Sequence, residues 1–332
     1  MIFIVFGHSL VYTPNVYMIY KYIYSFHVVL FFILSGFTYS NKKSIKLFVK
    51  DKFKSLMIPY FIFSILFLIP YLILGNYTSF DADIPNISQI DSLIFEILYG
   101  NGNNFALKQN TALWFLPALF SSEVIYRVLD KLKFKYKDIV FTLGLLIVSY
   151  LSICSEFILP WGINTALGLL VFFQLGILFR KYNVIEKINS HLLSKIILIL
   201  LAISTLHVYK LNVTVDCVDY GYGIYYIFLF TSIVVPVLII WVSNLISKCK
   251  LLEYIGKNTL SILIFHKIFL ILFQINYDFM PNFLRSTNLW ISMPMAIFVT
   301  AITITIALGI GYIINRFFPF FYGKRRRIQN EK

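Results

Sequence analysis

The sequence predicts an all-α polytopic integral membrane protein of about ten transmembrane helices, and three observations carry that prediction. First, 59% of the 332 residues are hydrophobic and only 13% are charged, whereas soluble domains carry about 25% charge. Second, apolar runs recur along the whole chain at the length of about 20 residues that a helix needs to cross about 30 Å of hydrocarbon. Third, these runs lack the period-2 alternation of barrel strands, and unpaired backbone groups are too costly in lipid, so helices are the remaining solution.

The spans read in order as 1–12, 20–39, 57–74, 112–129, 139–153, 163–179, 195–208, 224–246, 259–276 and 289–315. The first is short: twelve residues at about 1.5 Å each reach about 18 Å, roughly half a bilayer. The expectation is a first helix truncated at its N-terminus, with the true start upstream of Met1. It has neither the charged start nor the small-residue cleavage site of a signal peptide. After the second span, "KKSIKLFVKDKFKSLM" places Ile45, Phe48, Val49, Phe53 and Leu56 on one helical face and lysines on the other, as in a helix resting on a leaflet surface. The longest loop, Gly75 to Asn110, contains a second amphipathic stretch from Ser88 to Tyr99. No internal repeat or low-complexity linker divides the chain, so residues 1–322 read as one transmembrane domain and 323–332 as a basic cytoplasmic tail.

The net charge of +14 is sorted by side: 22 of the 29 Lys and Arg fall in 41–57, 130–138, 180–195, 247–258 and 323–332. The alternate loops hold only Lys21, Lys108, Lys210 and Arg285. Basic residues in short loops stay cytoplasmic, which places both termini on that side. The charge is therefore mainly a topology signal that also suits anionic lipid or a phosphorylated cofactor, and it gives no support to a nucleic-acid partner. Cys154 and Cys217 fall near the outer side and Cys249 in an inner loop. A Cys154–Cys217 bridge is geometrically conceivable, but the spacing matches no metal site or disulfide framework.

Ionisable groups at membrane depth are costly and default to functional candidates. His8 in the first span and His27 in the second come to similar depth through a hairpin. Spacing alone leaves them open as a neutral hydrogen-bonded pair, or as a general base with a second imidazole orienting the nucleophile or holding an oxyanion. His266, beside Lys267, reads as packing; Glu123 reads as pairing with Arg127 along one helix face. Trp114 and Trp161 sit where interfacial Trp is expected. Ser35 and Gly36 permit either close helix approach or a break exposing backbone donors. No Walker A, GxGxxG, CxxC pair or HExxH is present, and no metal is predicted.

Taken in order, "VFGHS", "SFHVVLFFILSGF", "LMIPYFIFS", "LWFLPALF", "ALGLLVFFQLGILFRK" and "YIGKNTLSILIFH" resemble the acyltransferase family 3 membrane proteins. The nearest likeness is to the branch of fucose 4-O-acetylase and related sugar O-acetyltransferases. The resemblance implies a helix bundle that moves an acyl group, usually acetyl, from cytoplasmic acetyl-CoA to a hydroxyl of a cell-surface glycan or its lipid-linked precursor. It implies His8 as catalytic base, with His27 its counterpart in the "FH" motif, and Trp114 of "WFLP" as structural or substrate-facing. In this scheme His27, or a polar substrate-side neighbour such as Ser9, stabilises the intermediate, and an acyl-His8 relay is a variant. The cofactor phosphates would meet Lys42, Lys43, Lys52 and Lys54. The chain has no basic residue eleven positions before His8, and "KDKFKSLMIP" stands where many members carry RxxR. The expected location is the bacterial cytoplasmic membrane, with membrane lipid and a glycan acceptor as partners. The rival class is a transporter or flippase of lipid-linked glycan, although the matching broken halves common in transporters are not evident.

Overall fold

The computed structural model describes residues 1–10, 14–74, 90–102, 107, 109–155, 157–246, 248–275 and 288–324. The helices are α1 (Ile2–Ser9), α2 (Pro14–Tyr24), α3 (His27–Thr38), α4 (Ile45–Lys52), α5 (Ile58–Leu74), α6 (Ile90–Tyr99), α7 (Phe115–Leu129) and α8 (Lys137–Ile153). They continue as α9 (Ile163–Lys181), α10 (Val184–Ser190), α11 (Leu192–Val208), α12 (Tyr225–Leu245), α13 (Lys250–Lys257), α14 (Thr259–Ile275) and α15 (Leu289–Phe317). Among the described residues the only extended pairing is an isolated bridge between Asp216 and Gly221.

Each predicted span falls on one helix except the second, 20–39, which is divided between α2 and α3. Among the described residues, seven helical stretches are long and apolar enough to cross a membrane: Val16–Thr38, Ile45–Leu72, Thr111–Leu129, Pro160–Lys181, Leu192–Leu211, Tyr225–Leu245 and Leu289–Phe317. The other predicted spans correspond to α1, of 8 residues, and to α8 and α14, of 17 residues each. The predicted surface helix of the long loop is α6, which buries Leu93 and Ile97 and exposes Ile94, Phe95 and Leu98. The basic tail lies outside the described residues beyond 324. All three cysteines are free, and Cys217 is buried, so the conceivable bridge to Cys154 is not formed.

Two features position the candidate site. The predicted second span is interrupted at Ser25–Phe26, which makes His27 the first residue of α3. The Ser25 carbonyl freed by the break accepts a hydrogen bond from Ser232 Oγ on α12 at 2.6 Å, which is how a helix break is tolerated at membrane depth. The second feature is the crossing of α3 and α9. A Cβ on Gly36 would coincide with the Phe173 carbonyl oxygen, and a Cβ on Gly176 with the Ile33 carbonyl oxygen. Each glycine thus admits the other helix's backbone, and the role of Gly36 is close approach.

The basic face is held together by ion pairs. One turn of π-helix, Phe53–Met57, joins α4 to α5, with Ile58 N–H bonded to Phe53 O. At its start Lys52 Nζ donates to Glu123 Oε1 at 2.7 Å. This corrects the expected pairing of Glu123 with Arg127. Arg127 is instead drawn to the turn after α3, where its guanidinium donates to the carbonyls of Asn41 at 3.1 Å and Lys43 at 2.6 Å. Asp130 accepts from Tyr39, Asn41 and Lys137. Its partial burial pushes the carboxyl up, but these three donors outweigh it and hold Asp130 below the usual carboxylate range.

Candidate active site

A cavity of about 480 Å³ opens between α1, α2, α3, α14, Gly102, the turn Thr111–Trp114 and the loop Val215–Asp219. That size suits one small ligand or the reacting ends of two. The loops at its mouth belong to the face with few basic residues. Three imidazoles line it: His8 from α1, His27 from α3 and His266 from α14. The His8 ring lies 5.4 Å from His266 and 6.5 Å from His27, centroid to centroid. Among the described residues no group of three or more His, Cys, Asp or Glu is placed to hold a metal ion.

Each ring is directed by a specific partner. His8 Nδ1 is 2.9 Å from the Tyr24 hydroxyl, and Tyr20 covers Tyr24 with ring centroids 4.0 Å apart. His27 Nδ1 meets the Ile23 carbonyl at 2.9 Å. His266 Nδ1 meets the carbonyls of Ile262 at 3.0 Å and Leu263 at 2.9 Å. His27 and His266 are buried, and His266 Nε2 has no hydrogen-bond partner among the described residues. Lys267 lines the same cavity one residue further along α14.

The mouth is acidic and aromatic. Asp216 Oδ1 accepts from Val218 N–H at 2.8 Å, which fixes the turn that carries Asp219. Burial, and then the neighbouring Asp216 charge, push the Asp219 carboxyl above its usual range. Trp114, at the end of a 3₁₀ turn capped by Asn110, lines the wall, where it would meet any Cβ placed on Gly102. Trp161, which reads the same in sequence, instead donates its indole N–H to the Leu98 carbonyl at 3.0 Å.

A family model described as an acyltransferase domain matches residues 1–312. The chain belongs to acyltransferase family 3. No curated protein and no solved structure is a match for it. The acyltransferase is an integral membrane protein of helices, and its cavity joins residues separated by more than 250 positions in sequence.

Within this acyltransferase the expected site residues divide. His8, His27 and Trp114 face the cavity together. Ser9 is on the same helix as His8 but turns to α15, with Oγ 2.9 Å from Thr300 Oγ1 and 3.2 Å from the Ala296 carbonyl. None of Lys42, Lys43, Lys52 and Lys54 lines the cavity; Lys43 is paired with Asp51 and Lys52 with Glu123. Of the other lining residues, Tyr24, Asp216 and Asp219 are not singled out by the sequence, whereas His266 beside Lys267 stands out there and reads as packing. The available signal was "IFHK": two adjacent ionisable residues inside an apolar run have no cheap structural reason to be there.

Proposed function

We propose that this acyltransferase moves an acetyl group from acetyl-CoA to a hydroxyl of a cell-surface glycan or its lipid-linked precursor. In this proposal it sits in the bacterial cytoplasmic membrane with both termini cytoplasmic, and belongs to the fucose 4-O-acetylase branch. The single observation that carries the reading is the shared cavity of His8, His27 and His266. With the Tyr24 oxygen accepting from Nδ1–H, His8 presents Nε2 as a general base. The acceptor oxygen gives its proton to His8 as it bonds to the thioester carbon. Collapse breaks the C–S bond, and the thiolate takes the proton from His8.

Support for a sugar acceptor is chemical: carboxylates suited to hydroxyl groups and an indole suited to a sugar face flank the same opening. Lys42 and Lys54 make no ion pair among the described residues, so they are the readier contacts for cofactor phosphates. Lys43 and Lys52 would have to exchange Asp51 and Glu123 for them.

The test is the base-labile acetyl content of surface polysaccharide, measured by NMR in a deletion strain complemented with this chain or its His8→Ala form. Ester restored by the chain and absent with an equally expressed His8→Ala protein is the expected result. Ester unchanged by the deletion itself, or fully restored by His8→Ala, refutes the assignment.

A further inference from the structure

The cavity holds more bases than acyl transfer needs and few visible donors. A carbonyl oxygen only accepts, so the contacts to Ile23 and to Ile262 and Leu263 put the ring protons of His27 and His266 on Nδ1. In their neutral forms both rings therefore offer a lone pair at Nε2. The oxyanion role expected for His27 would require its imidazolium. Ser9, the other expected stabiliser, is engaged with Thr300 and Ala296. His8 is the ring whose tautomer is free to change, because its partner is a hydroxyl.

Acyl transfer from a thioester places negative charge on the carbonyl oxygen, and a donor waiting at that point is commonly the largest catalytic contribution. Among the described residues, Lys267 is the one Lys or Arg that lines the cavity. Leu263, His266 and Lys267 are spaced i, i+3 and i+4 on α14, so one face of that helix delivers all three. Asp216 and Asp219 line the same cavity, yet no ion pair joins either to Lys267 among the described residues. The ammonium is thus not committed to an internal counter-charge.

We propose that Lys267 is the oxyanion donor of the transfer reaction, its Nζ–H groups meeting the thioester oxygen as it becomes tetrahedral. This rests on the acetyl-transfer reading above. The acceptor O–C bond forms as its proton passes to His8, and the oxygen of the former carbonyl carries the charge beside Nζ. Collapse re-forms C=O, breaks C–S and sends the proton to the departing sulfur, leaving Lys267 unchanged.

The experiment uses membranes of the complemented deletion strain, with their own acceptor, and radiolabelled acetyl-CoA as donor. Lys267→Met should lower kcat by about 10²–10³-fold with the KM for acetyl-CoA within about twofold of wild type, and Lys267→Arg should recover part of the loss. A Lys267→Cys protein, assembled first and then treated with 2-bromoethylamine, should regain rate because an ammonium is restored. Active wild type with an equally active Lys267→Met overturns the inference alone. So does a loss made good by excess acetyl-CoA, or a folded, alkylated Lys267→Cys protein that stays inactive. Wild-type membranes that transfer no label overturn the acetyl-transfer reading, and the inference falls with it.

Discussion

Tyr24 holds the His8 ring by its Nδ1 and leaves Nε2 as the nitrogen without that contact. It is the last residue of α2, its hydroxyl is 2.9 Å from His8 Nδ1, and Tyr20 packs on its ring. Losing one such hydrogen bond is worth about 1 kcal/mol, and a partner that orients a catalytic ring is felt mainly in the rate. Tyr24→Phe should therefore lower kcat about fivefold to tenfold with little change in thermal stability. Initial rates beside a melting curve in detergent check this, and a fully active Tyr24→Phe protein would leave His8 directed by something else. Sequence exposed His8 and His27 because imidazoles are conspicuous among Ile, Leu and Phe. It hid Tyr24, because the segment Val16–Tyr24 carries several tyrosines of equal rank. It also hid Asp216 and Asp219, because a carboxylate in a loop is ordinary until the fold brings that loop to the cavity that His8 lines.

At the scale of elements, the crossing of α3 and α9 holds the cavity open at a fixed place. Gly36 and Gly176 receive each other's helix backbone, and any side chain at either position overlaps a carbonyl. Gly36→Ala or Gly176→Ala should force the helices apart and displace His27, ten residues or fewer along α3 from the crossing. The expected outcome is a loss of stability of about 2–3 kcal/mol, on the scale of overpacking a close-packed interior, together with loss of transfer. Thermal unfolding of the purified variants measures the first effect, and unaltered unfolding would mean that the crossing relaxes. The helices themselves were legible from apolar run length alone. The break at Ser25–Phe26 was not, since its stabilising donor, Ser232, is more than 200 residues away. The partner of Glu123 was misread for a related reason: helical spacing favours Arg127, while tertiary packing supplies Lys52.

For the whole molecule, α3 runs from His27 in the cavity wall toward the basic segment after Thr38, and α7 from the cavity residue Phe115 toward the basic loop after Leu129, so cavity and basic loops meet opposite ends of these helices. Cys154 and Cys249 are both exposed, the first at the end of α8 away from Lys137, the second just beyond the end of α12 that follows the cavity loop by a full helix. A membrane-impermeant maleimide should therefore label Cys154 on intact cells and Cys249 only after permeabilisation. The reverse pattern would invert the proposed orientation. The π turn between α4 and α5 adds a constraint on chain length. A helix advances about 100° per residue, and a π turn takes up one extra residue by widening, so removing one residue from Phe53–Met57 would restore a regular α-helix with the flanking faces nearly in place, whereas adding one would swing the lysine-bearing face of α4 away from Glu123. This short segment should accept the loss of one residue more readily than the gain of one, provided the buried Met57 is kept, an asymmetry that a surface loop does not show.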